Sequence, residues 1–378
     1  MKFLIVRGYG NVMNTNMYNC QEIGLAKALS KQGIECGIVF YNGKNENCIE
    51  TIECENKNKI VIYRLRGISI AKHGIMNSID EIVDKYDVIW VNEFNQYTSY
   101  KICKRNDKKI IIYHGPYSPI YSKLRFIRNY FYNKLFFYKR MAKKNKVFTK
   151  SNLASRELLR LGFEKVETIG VGLDNNKIHN LDEKPELLNE ILSFRDSGGF
   201  LLTYIGTIDK RKNTIMLLKI LKKLIINNRK VKLLIIGKGN SKYINKCIKY
   251  INENNLKEYI IYREEMQQNQ LGYIYKNTDI FLLPTCYEIF GMVLLEAMYY
   301  GIPVITTENG GSSTLINDKK NGFICNNNNI EEWIVIIEML LSNKEICGKI
   351  GKEANSTITS KFTWDVIAEK VIKYLDTI

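Results

Sequence analysis

A chain of 378 residues, 45% hydrophobic and 25% charged, is too long for one ordinary compact core and fits two domains of roughly 150–200 residues each. No stretch approaches the roughly 20 uninterrupted apolar residues of a membrane-spanning helix, and the apolar run inside the first seven residues is too short for a signal peptide. Nine scattered cysteines, an odd number with no C-x-x-C pair, favour free thiols in a reduced cytoplasmic setting over a disulfide framework or a zinc site. The net charge of +17 is local: residues 101–150 hold fifteen Lys/Arg against one acid, Asp107, so the remainder is close to neutral.

In chain order, short β-branched or aromatic runs alternate with helical patterns. Strands are expected at 3–6, 36–41, 60–65, 88–91, 110–113 and 147–149, then at 201–205, 233–236, 259–262, 280–283 and 303–306. A helix over 21–31 carries Ile23, Leu25, Ala26 and Leu29 on one side. Strands spaced by helix-length segments imply βαβ units and parallel sheets. Residues 174–199 are polar, contain Pro185 and end in Ser197-Gly198-Gly199, which reads as an interdomain linker. The last amphipathic helix opens at Thr363. In open parallel sheets ligands bind beyond the carboxyl ends of the strands, so chemistry is sought just after them.

Three loops of the second half meet that condition. Gly206-Thr-Ile-Asp-Lys-Arg-Lys-Asn213 follows a strand and opens a helix. Its turn, its three adjacent cations and a helix N-terminus all favour an anion such as a diphosphate; as bare spacing it also fits a solvated basic turn. Gly237-Lys-Gly239 lets backbone approach a ligand, and equally fits a plain tight turn. The richest string is Pro284-Thr-Cys-Tyr-Glu288-Ile-Phe-Gly-Met-Val-Leu-Leu-Glu296, followed by Gly301-Ile-Pro-Val-Ile305 and Gly310-Gly311. Glu288 at the helix mouth suits sugar hydroxyls, Gly291 opens the first-turn amides to an anionic oxygen, and Glu296 suits a ribose diol. A bare pair of glutamates would be no more than two exposed acids; the glycines and the following strand raise it above that.

The run from Pro284 to Gly311 resembles the donor signature of the GT-B-fold retaining glycosyltransferases, glycosyltransferase family 4 (group 1). Further similarities are Tyr204-Ile-Gly-Thr-Ile-Asp-Lys-Arg-Lys-Asn213, Asn309-Gly-Gly311 with Asn321-Gly-Phe323, Phe362-Thr-Trp-Asp365, and Ile169-Gly-Val-Gly-Leu-Asp174. The resemblance implies an α/β chain of two Rossmann-like, doubly wound domains facing across a cleft. Residues 1–173 would bind the acceptor and 174–199 would link. Residues 200–361 would bind the nucleotide sugar, and 362–378 would pack back on the first domain.

Carried over residue by residue, the resemblance assigns catalysis to Glu288, Lys212 and His114. Lys212 would neutralise the diphosphate, Glu288 would hold the donor sugar, and His114, at a strand end, would stand against the transferred sugar; His73 and His179 sit in no motif. Donor binding would further involve Gly206, Thr207, Arg211, Gly237, Phe290, Gly291, Met292, Val293 and Glu296. Gly8 and Gly10 would form a loop beside the phosphates and acceptor. Two departures stand out. Thr207 occupies the place where many relatives have arginine, leaving Arg211 as the second cation. The run Tyr262-Arg-Glu-Glu265 lacks the usual glycine of the base loop, so the nucleobase is not specified. With no D-x-D pair in the chain, the expectation is metal-independent transfer with no cofactor, and the resemblance further implies retention of anomeric configuration.

Residues 121–146 hold nine cations, eight aromatics and no acid. That pattern suits an interfacial helix on an anionic membrane, with Lys123, Arg125, Arg128, Lys134, Lys139 and Arg140 at the surface. It also fits a core helix with one solvated face, or a single-strand nucleic-acid patch. The first reading is adopted, with no nucleic acid expected. It implies an enzyme held on the cytoplasmic face that builds a cell-surface glycan on a glycan or lipid-linked acceptor. The competing functions are a sugar-nucleotide epimerase of the same fold, which would not need Glu288 and Glu296 at this spacing, and a non-catalytic glycan- or nucleic-acid-binding protein.

Overall fold

The computed structural model describes residues 1–15, 20–54, 58–117, 138–174, 178, 183–326 and 329–377. The chain divides into two compact units, Met1–Asp174 with Phe362–Ile378, and Asn175–Lys361.

The first unit contains β1 (Lys2–Arg7), β2 (Glu35–Tyr41), β3 (Cys48–Glu53), β4 (Lys59–Leu65), β5 (Gly67–Ile70), β6 (His73–Met76), β7 (Val88–Asn92), β8 (Lys109–His114), β9 (Lys146–Thr149) and β10 (Val166–Thr168). Eight of these form one sheet in the order β10-β9-β8-β7-β1-β2-β4-β3, parallel except for the edge strand β3, while β5 and β6 pair as a separate hairpin. The central strands are buried on both faces, which is why they read as continuous apolar runs. Leu4, Val6, Val39, Val91, Ile112 and Val147 share one buried cluster. Trp90 packs against Phe3, Tyr113 and Phe148.

The chain's last segment completes this unit. Leu173 and Trp364 exchange backbone hydrogen bonds with Phe362 and Leu173, at 2.8 and 3.2 Å. The helix Trp364–Leu375 is capped by the Thr363 hydroxyl, which accepts from Val366 N. Trp364 lies so close to Gly24 and Gly172 that a Cβ at either would stand under 2.5 Å from its ring.

The second unit holds β11 (Phe200–Ile205), β12 (Val231–Ile236), β13 (Ile260–Arg263), β14 (Ile280–Leu283), β15 (Val304–Thr306) and β16 (Phe323–Ile324), all parallel, in the order β13-β12-β11-β14-β15-β16. This is the 3-2-1-4-5-6 order of a doubly wound Rossmann sheet, with its switch point between β11 and β14. In the first unit the corresponding reversal lies between β1 and β7.

The segment read as a linker over 174–199 contains a helix, Leu187–Asp196, with Leu187, Leu188 and Ile191 buried. Arg195 anchors it by pairing with Asp279 and donating to Asn277 O at 2.9 Å. Pro185 and the glycine pair bracket a docked element of the second unit.

Candidate active site

In the second unit the loops after β11 and β14 converge at the switch point. The turn after β11 is built on Asp209, whose Oδ1 accepts from Lys212 N at 2.7 Å and whose Oδ2 accepts from the Thr207 hydroxyl at 3.2 Å. Asn213 takes a left-handed conformation (φ +54°) before the helix Thr214–Ile226 begins. The result turns Lys212 inward: it is buried, and its ammonium lies beside Gly206. Gly237 has φ +153°, and a Cβ there would stand 1.9 Å from Gly206 O, so glycine alone lets the β12 loop back this turn.

The β14 loop is tied to the same turn. Cys286 N donates to Arg211 O at 2.8 Å and Arg211 Nη1 donates to Tyr287 O at 2.7 Å. Glu288 Oε2 then meets both cations, paired with Lys212 Nζ and 3.5 Å from Arg211 Nη1. Gly291, at φ +79°, caps the helix Met292–Tyr299, whose N-terminus starts at this cluster. Gly310 N closes the far side by donating to Glu288 O at 2.9 Å. Phe290 is buried, and Met292 and Val293 are half-buried in the first turn.

The structure thus brings together Gly206, Thr207, Arg211, Lys212, Gly237, Glu288 and Gly291. Glu296 belongs to a separate set: it is buried and accepts from Tyr275 Oη at 2.8 Å. Burial pushes its carboxyl up to about 7, against the opposing pull of the Tyr275 and Gln268 hydrogen bonds. The pair Glu288 and Glu296 therefore differ in environment, one ion-paired and one desolvated.

His114, Gly8 and Gly10 lie in the first unit, again at strand ends beside the sheet's reversal. His114 Nδ1 stands 2.6 Å from Glu93 Oε2, and its ring packs on Phe94 at 4.7 Å. Glu93 also accepts from Gly115 N at 3.1 Å and faces Lys150 Nζ at 3.4 Å. Burial alone would raise this carboxyl, yet His114, Lys150 and the Gly115 amide overcome it and hold it at about 2. Its backbone is left-handed (φ +65°), a conformation costing a non-glycine residue about 1 kcal/mol. Tyr9, between Gly8 and Gly10, also bonds to Glu93, and burial raises its hydroxyl far above its ordinary value. Gly10 N donates to Lys72 O and Gly74 N to Gly8 O, both at 2.9 Å, docking the glycine loop on the β5–β6 hairpin. His73, without a motif, bridges to Tyr9 and meets Gln96 through Nδ1 at 3.1 Å.

Glu93 is the residue that sequence reasoning missed. Its only signal was position, directly after β7.

Of the basic segment, Lys123, Arg125, Arg128 and Lys134 lie outside the described residues, as do the side chains of Lys139 and Arg140. Its tail packs on the first unit: Met141 and Ala142 are buried, and Lys146 pairs with Glu167 at 2.5 Å over the Phe148 ring. Among the described residues no helix is long and apolar enough to cross a membrane, and no group of three or more His, Cys, Asp or Glu is arranged to hold a metal ion.

Residues 193–357 match the family model described as glycosyl transferases group 1. The chain is 24% identical to an uncharacterized glycosyltransferase of Methanocaldococcus jannaschii, across 92% of this chain and 91% of that protein. It is 26% identical to the capsular polysaccharide biosynthesis glycosyltransferase CapM of Staphylococcus aureus, over 60% of this chain and 57% of that one. Among solved structures, Anabaena HepE in complex with UDP superposes with a TM-score of 0.72 at 15% identity, covering all of both chains. Sucrose-phosphate synthase from Thermosynechococcus elongatus gives 0.72 at 16%, over 100% and 98% of the two chains. The match to the glycosyl transferases group 1 model thus covers residues 193–357, and the chain as a whole has the two-Rossmann-domain GT-B fold of these solved structures.

Proposed function

We propose that this protein is a retaining glycosyltransferase that moves a sugar from a nucleoside-diphosphate donor to a glycan or lipid-linked acceptor in cell-surface polysaccharide or glycoconjugate assembly. The observation that carries this reading is the buried Lys212 ammonium, held beside Gly206 and the start of the helix Met292–Tyr299, with Arg211 next to it. Departure of a nucleoside diphosphate leaves negative charge on its terminal phosphate. Two fixed cations and a helix N-terminus stabilise that charge without reorganising. Arg211 and Lys212 take the part a divalent ion plays elsewhere. Glu288 holds the donor sugar, Glu296 the ribose, and His114 stands against the transferred sugar. Retention follows if the leaving phosphate itself accepts the proton of the incoming hydroxyl. A UDP-linked sugar donor is supported by the UDP complex of HepE, and a polysaccharide product by the name of CapM. The basic aromatic segment, by its sequence, would hold the enzyme on the anionic cytoplasmic face of the membrane.

The test is a screen of nucleotide sugars for thermal stabilisation and for transfer or hydrolysis. Lys212→Ala should lower turnover by about two to three orders of magnitude, as for loss of one charge-stabilising group, with the fold intact. Unchanged turnover refutes the assignment, and activity abolished by EDTA refutes metal independence. Failure to co-sediment with anionic liposomes at low salt removes the membrane site.

A further inference from the structure

The two cations offered to the diphosphate are already engaged by an anion of the protein. Glu288 Oε2 pairs with Lys212 Nζ and stands 3.5 Å from Arg211 Nη1, and the side chains of Lys212 and Glu288 are only 9% and 19% exposed. Arg211 is further oriented by the Tyr287 carbonyl, one residue before Glu288. A buried charge is costly without its partner, so this pairing is what keeps Lys212 inward while no anion is bound. A diphosphate reaching the turn Gly206–Lys212 meets the same ammonium that the carboxylate holds, and two anions at one ammonium repel.

We propose that Glu288 is a placeholder for the donor diphosphate. The phosphates displace its carboxylate from Lys212 and Arg211, and the released carboxylate becomes the acceptor for the sugar's hydroxyl groups. Charge is exchanged, and the group that recognises the sugar is freed only when phosphates occupy the cations. The inference rests on the phosphate-loop reading above and adds to it that Glu288 opposes phosphate binding in the free protein. A residue serving only the sugar would leave the affinity for a sugarless phosphate ligand untouched. A placeholder lowers that affinity, because the competent state is only a fraction of the population.

Calorimetric titration with inorganic pyrophosphate at fixed low salt separates these cases, using the full chain as wild type, Glu288→Gln and Lys212→Ala. Glu288→Gln keeps the side chain's volume and removes its charge, and should bind pyrophosphate about tenfold tighter, while Lys212→Ala should bind at least tenfold more weakly. If Lys212→Ala weakens binding and Glu288→Gln leaves it equal or weaker, the placeholder is overturned and the phosphate loop stands. If Lys212→Ala leaves binding unchanged, the phosphate-loop reading falls and the inference with it. Should Glu288→Gln melt abnormally, Glu288→Asp, whose shorter side chain retreats from Lys212, gives the second measurement, with tighter binding again required.

Discussion

Replacing Glu93 by Gln removes one charge from a buried set while keeping its shape. The carboxyl sits near 2 in the folded chain against an ordinary value of 4.5. A depressed folded value means stability that is complete above the unfolded value and lost as pH falls toward the folded one. The full span is on the order of 3 kcal/mol, of which about 2 kcal/mol should already be gone near pH 3. Glu93→Gln should therefore be less stable than wild type by roughly 2–4 kcal/mol near pH 6, because Lys150 loses its counter-charge and the His114 ring its carboxylate partner. The deficit should shrink steadily toward pH 3. Urea unfolding of both proteins at several pH values, followed by a probe in the first unit such as Trp90 fluorescence, measures it. A deficit independent of pH would show that the carboxylate's charge is not what holds this corner together.

Glu296 should behave in the opposite sense. Its folded value, raised to about 7, means stability present below about 4.5 and lost as pH climbs through 7. Glu296→Gln should hence gain up to about 3 kcal/mol above pH 7 while binding nucleotide sugars more weakly, and a stability curve parallel to wild type refutes this. If Glu296 binds the ribose diol as proposed, wild-type donor affinity should itself strengthen as pH rises through about 7 and the carboxylate ionises; calorimetry that shows no such trend removes Glu296 from the donor site. Gly237→Ala forces a Cβ onto the Gly206 carbonyl and should cost about 2–4 kcal/mol in urea unfolding, whereas an unmoved midpoint contradicts the packing. Trp364→Ala should cost about 3–5 kcal/mol, read as a lower melting temperature of the first unit.

The parallel strands were legible because burial on both faces writes them as uninterrupted apolar runs, as in Ile5, Val6, Val88 and Val91. The exposed edge strand Cys48–Glu53 has no such run, and its pairing with Lys59–Leu65 depends on a register no local pattern encodes. The helix Leu187–Asp196 was hidden by the turn residues around it, since only three buried side chains dock it. Within the site, the glycine-bearing loops after β11 and β14 carried their own signal. That Glu288 would be paired with Lys212 did not, because those residues meet only through the fold. Glu93 showed only its place after β7 for the same reason: His114 and Lys150, which hold its charge, come from two other strands' ends.

The return of the chain to its own beginning has a consequence for how it is made. Residues 1–174 leave the ribosome with the groove over Gly24 and Gly172 still empty, and Trp364 arrives only after the whole second unit has been synthesised. At about 5–20 residues per second that is a delay of roughly ten to forty seconds. The second unit, contiguous in sequence, has all its residues before the first has received its last helix. A nascent chain arrested before Phe362 should therefore present a folded second half joined to an unfinished first one. A nonsense mutation just before Phe362 would damage the unit that was translated earlier.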